Sequence, residues 1–186
     1  MPRLTACSTL AFSLSSLETA LKHIRDYEFR HVEIAEMLTH SKHFPVDTVD
    51  PVAVKDLLAK YELTPIAGNI CIASLKSGPS DYVKLPVEKQ SASETEEIRT
   101  AKQDRVFYRL HVEAEATEYT ARVRKVIENA AIAGIPAVGL QAGRRGQIED
   151  LDREIEAAAK VIDEQAEYAR SAGIRILMEM PHVWDL

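Results

Sequence analysis

Apolar positions in this chain alternate between short runs and longer stretches with helical spacing. Arg3 to Phe12 opens with apolar and small residues and is predicted to form a short buried strand. A serine cap at Ser15 or Ser16 starts a helix over Leu17–Asp26, with Leu17, Ala20, Leu21 and Ile24 on one face. His31–Glu36 reads as a second strand, followed by a loop from Met37 to Val49. Asp50-Pro51 is a cap followed by a proline at the first helical position, so a helix is expected from there to about Tyr61. Val54, Leu57 and Leu58 should face inward. Thr64–Ile72 is a third strand.

Glycine, proline and serine then accumulate between Ala73 and about Ala92, which marks a long loop. Glu94–Ala133 is largely helical in pattern, with Val123, Val126, Ile127 and Ala130 on its apolar side. Within it, Val106–Val112 has the aromatic and β-branched content of a strand, although helix is the favoured reading. Pro136–Ala142 is a fourth strand. Glu149–Ala172 is an amphipathic helix whose apolar face is read as Leu151, Ile155, Ala158, Ala159 and Ile162. Ile174–Met178 is the last strand, and Glu179 follows it.

The junctions AAIAGIPAVGL and YARSAGIRILME share one grammar: helix, Ala-Gly, Ile, apolar strand. IRDYEFRHVEIAE and LLAKYELTPIAG are looser copies. Such a βα repeat builds a parallel sheet. Two architectures accommodate it, an open doubly wound sheet or part of a (β/α)₈ barrel. No GxGxxG or P-loop follows any strand, so the doubly wound form lacks support.

Composition narrows the function. The net charge of −6 disfavours a nucleic-acid partner, which calls for a basic stripe. No apolar run approaches the ~20 residues that span a bilayer, and the N-terminal stretch lacks the shape of a signal peptide. Cys7 and Cys71 sit in predicted strands without a CxxC, as free thiols do in a reducing compartment, and a cytoplasmic protein is expected.

Chemistry concentrates at strand ends. A carboxylate at the C-terminal end of a parallel strand, here Glu179, lies where α/β proteins keep their active sites. His182, past Pro181, could bond a substrate hydroxyl or orient Glu179, and Trp184 could wall a sugar face. Glu33 and Glu36 share the second strand, and Glu36 is the one expected at the mouth as a substrate contact. Asn69 and Gln141 end the third and fourth strands and could bond sugar hydroxyls, although structural hydrogen bonding is the favoured reading of each. His40 and His43 are expected to be solvated loop residues rather than a metal pair. The turn Gly143-Arg144-Arg145-Gly146 could hold a substrate phosphate, although its arginines are more simply solvated.

In their order, STLAF, HVEIAE, GIPAVGLQAG and GIRILMEMPH resemble the xylose isomerase-like barrels. These are the sugar phosphate isomerase/epimerase superfamily, which also includes the AP endonuclease IV type. The resemblance covers the chain outside about 76–116. It implies an α/β fold with a parallel βα-repeat: an incomplete (β/α)₈ TIM barrel of about five strands, with residues 1–186 as a single partial domain carrying an insertion at about 76–116. It also implies that Glu179 is both metal ligand and acid/base, with Mn²⁺ or Mg²⁺ as cofactor. His182, Gln141, Asn69 and Glu36 would then contact a small sugar or polyol derivative. The family's remaining ligands, an aspartate, a histidine and a glutamate, lie on strands six to eight, which these 186 residues do not reach. The chain by itself is therefore expected to be inactive, and to be completed by further residues, by self-association or by a second chain. The alternatives are a non-catalytic α/β domain that binds a ligand or assembles with a partner and, less favoured, an abasic-site nuclease.

Overall fold

Each of the apolar runs contributes a strand to one sheet. The computed structural model describes residues 5–37, 41–72, 108–143 and 151–179. The strands are β1 (Ala6–Ser8), β2 (His31–Met37), β3 (Ser41–Lys42), β4 (Thr64–Ile70), β5 (Ala137–Gln141) and β6 (Arg175–Glu179). The helices are α1 (Leu17–Asp26), α2 (Pro51–Lys60), α3 (Glu113–Ala133) and α4 (Leu151–Ser171). The sheet order is β1-β2-β4-β5-β6, and every pairing along that path is parallel. This is part of a (β/α)₈ barrel, with β6 in the place of the fifth barrel strand.

Local chemistry sets the element ends. Ser16 caps α1, its side chain accepting from Thr19 N, and Asp50 caps α2 by accepting from Val52 N and Ala53 N. Gly134, at φ 75°, closes α3 in the left-handed region.

Strand periodicity divides the sheet into two faces. Val32, Ile34, Ile70, Val138 and Leu140 point toward the helices, where they join Leu21, Ile24, Val54, Leu58, Val123, Val126 and Ile127 in one core. The other face, which is the barrel interior, carries small and polar residues. Ala35 pairs with Asn69, Asn69 with Gly139, and Gln141 with Glu179.

Four expectations change. The first strand is shorter than Arg3–Phe12, because Ser8 accepts from Leu10 N and starts a 3₁₀ turn over Thr9–Phe12. The loop after β2 begins with a short antiparallel pairing, Glu36 opposite Lys42 and Met37 opposite Ser41. Residues 108–112 are neither helix nor strand. Arg109 spends its backbone N–H, at 2.6 Å, and its guanidinium on the Glu115 carboxylate, while Tyr108 and Leu110 are buried. Finally, α4 buries Glu154, Ala158, Gln165 and Ala169 and exposes Ile155. Polar partners account for that rotation: Glu154 faces His111 at 3.6 Å, and Gln165 meets Arg124 and Thr120 on α3.

Candidate functional site at the C-terminal strand ends

All five parallel strands end on the same rim, so Met37, Ile70, Gln141 and Glu179 come from different strands to one end of the sheet. Glu179 is the last residue of β6. It lies on the interior face, opposite Gln141 in the register, and is exposed.

Gln141 is 4% exposed, and both ends of its side chain are engaged. Its Oε1 accepts from Ile72 N at 3.3 Å, and its Nε2 donates to Glu179 Oε2 at 3.2 Å. Its backbone carbonyl accepts from the Tyr119 hydroxyl at 2.9 Å. Asn69 lies one layer deeper, beside Gly139, and its Oδ1 is buried with no hydrogen-bond partner among the described residues.

Burial pushes the Tyr119 phenol well above its ordinary value of 10.0. A group whose folded pKa is raised contributes stability that is complete below the unfolded pKa and lost as pH rises past it. Stability should therefore decline as pH rises above about 10. Tyr119→Phe should shallow that decline and cost about 1 kcal/mol at neutral pH, because the Gln141 carbonyl loses its donor. Urea titrations of both proteins across this range check the expectation, and parallel alkaline limbs would refute it.

The structure moves two of the expected residues. Glu36 shares the helix side of β2 with Val32 and Ile34, away from Asn69, Gln141 and Glu179. It is 8% exposed, and its Oε2 accepts from Phe44 N at 3.3 Å, so it does not stand at the mouth. Glu33, the neighbour set aside in its favour, is the β2 carboxylate on the interior face. The alternation Val32, Ile34, Glu36 was the signal that could have distinguished them. His43 is buried rather than solvated, held between Ser41 Oγ at 3.1 Å and Ser15 O at 2.9 Å. His40, His182, Trp184, Arg144 and Arg145 lie outside the described residues, as does most of the insertion.

A divalent ion needs several oxygen or nitrogen ligands. Among the described residues no group of three or more His, Cys, Asp or Glu side chains could hold one. Glu179 offers a single carboxylate, with one oxygen already on Gln141. The described residues thus do not fit a complete metal centre.

No family model and no curated protein matches the sequence. Solved structures do. The chain is similar to the IolI protein with a bound zinc atom (13% identity, TM-score 0.64, 96% of this chain and 51% of that one). It is also similar to an AP endonuclease, family 2, from Brucella melitensis (17%, TM-score 0.62, 96% and 55%). A third similar structure is an L-ribulose 3-epimerase (19%, TM-score 0.58, 94% and 48%). The protein has the xylose isomerase-like TIM-barrel fold. The chain spans about half the length of the three structures compared above.

Proposed function

We propose that this chain carries the first five strands of an isomerase or epimerase acting on a small sugar or polyol derivative, with Glu179 as the acid/base. One observation carries the reading. Glu179 ends the fifth parallel strand on the interior face, at the rim where barrels of this kind place their chemistry. In the reaction the C–H bond beside the substrate carbonyl breaks. The proton passes to the Glu179 carboxylate. The C–H electron pair forms a carbon–carbon double bond as the carbonyl π pair moves onto oxygen, giving an enediolate. Return of the proton from Glu179 to the neighbouring carbon, with the hydroxyl proton passing to the former carbonyl oxygen, isomerises the sugar; protonation of the original carbon on its opposite face by a second acid epimerises it. Stabilisation of the enediolate oxygen comes from groups outside the described residues. A divalent ion, Mn²⁺ or Mg²⁺, enters this reading only with ligands from there.

Deuterium incorporation from solvent tests the assignment. A barrel completed by its remaining strands should exchange the hydrogen beside a ketose carbonyl, and Glu179→Gln should suppress that exchange. The 186-residue chain alone should not exchange it. Exchange that Glu179→Gln leaves undiminished would overturn the reading.

A second reading, a non-catalytic domain that assembles with a partner, is favoured by the ends of the sheet. β1 and β6 each have a strand neighbour on one side only among the described residues, and Leu177 and Met178 are 47% and 39% exposed. Open strand edges beside apolar side chains invite pairing. Size-exclusion chromatography over a dilution series should therefore show concentration-dependent association. A monomer at all concentrations that unfolds cooperatively would count against an incomplete barrel. None of the helices among the described residues is long and apolar enough to cross a membrane. With neither Cys7 nor Cys71 in a disulfide, we propose a cytoplasmic location.

A further inference from the structure

We infer that Gln141 is a positioning residue that commits one oxygen of Glu179 and leaves the other as the reacting one. The inference rests on the assignment of Glu179 as acid/base. Its observations are the two ends of one buried amide.

A backbone N–H can only donate. The Gln141 atom that faces Ile72 N at 3.3 Å must therefore be the carbonyl Oε1. That contact removes the usual ambiguity of an amide flip: the NH₂ end faces Glu179 and can only donate to it. Glu179 Oε2 is accordingly an acceptor, held at 3.2 Å. A proton taken from substrate is favoured at Oε1, where no lone pair is committed to Gln141.

The scaffold around this amide is stiff. Gln141 and Glu179 are register partners on neighbouring parallel strands, so their Cα atoms are fixed by the ladder. The Gln141 backbone carbonyl is fastened by Tyr119, itself buried in α3. Gln141 is almost fully buried, which fixes its rotamer, whereas Glu179 is exposed and would otherwise sample several. Immobilising an exposed acid/base lowers the cost of reaching the reactive geometry.

The bond itself is read in the 186-residue chain by NMR of the Gln141 side-chain amide. One of its two amide protons should exchange slowly with water, and Glu179→Ala should abolish that protection while leaving the Ile72 amide unchanged. Glu179 is exposed, so this variant does not threaten the fold. An unaltered Gln141 amide in Glu179→Ala would overturn the inference. The consequence is read in the completed barrel, where Gln141→Leu should lower kcat about 10–100-fold with little change in KM. If Glu179→Gln abolishes proton exchange while Gln141→Leu turns over normally, the positioning role falls and the acid/base assignment stands. If Glu179→Gln itself turns over normally, the assignment falls, whatever the amide shows.

Discussion

Glu179→Gln should slow proton exchange beside a ketose carbonyl by about 10²–10⁴-fold in the completed barrel, the usual contribution of a positioned acid/base. The substitution keeps the size of the side chain and still offers Gln141 a carbonyl oxygen to bond. It removes only the capacity to accept a proton at neutral pH. Ground-state binding should change little, so the loss belongs in kcat rather than in KM. Glu179 is exposed at the end of β6, and thermal stability should be close to that of the unaltered chain. Deuterium exchange followed by NMR of the sugar, with a melting curve on the same sample, separates lost chemistry from lost fold. Full exchange by the variant would remove Glu179 from the mechanism.

Gly143→Ala should lower stability by about 2–4 kcal/mol, combining a left-handed backbone penalty with overpacking. Gly143 follows β5 at φ +79°, and a Cβ placed there would lie 2.4 Å from the Tyr108 carbonyl oxygen and 3.1 Å from Leu110 Cγ. The nearest of these atoms is backbone, and it cannot swing aside as a side-chain tip would. The buried Tyr108 ring meets Tyr119 edge to face at a centroid distance of 5.8 Å. Displacing the 108–110 segment would thus disturb the residue that fastens the Gln141 carbonyl. Gly134 provides the control. It has φ +75° but nothing within 4 Å of an added Cβ, so Gly134→Ala should cost only the backbone part, about 1–2 kcal/mol. Equal losses in urea denaturation of the two variants would show that the contact with Tyr108 is not the cause.

Much of the scaffold was legible because its signals are local. The strands expected near residues 31, 65, 136 and 174 begin at His31, Thr64, Ala137 and Arg175. The inward faces of α1 and α3 follow from 3.6-residue spacing: Ala20, Leu21 and Ile24, then Val123, Val126, Ile127 and Ala130, are all buried. The α4 face was misread because spacing weighs residue types alone. Glu154 and Gln165 are buried through partners on distant segments, which a hydrophobic pattern does not register. His43 illustrates the same limit, since one of its partners, Ser15 O, lies 28 residues away.

By itself, the sequence determined the βα order, the parallel sheet that order implies, and a carboxylate at the end of the last strand. Each depends on periodicity and on junction residues within a few positions of one another. Tertiary structure alone decided which polar groups are buried with distant partners, and that Gln141 and Glu179 share a hydrogen bond across neighbouring strands. Those outcomes depend on strand register and side-chain direction. One residue of slip reverses every face, and no local spacing encodes the contact between positions 38 residues apart.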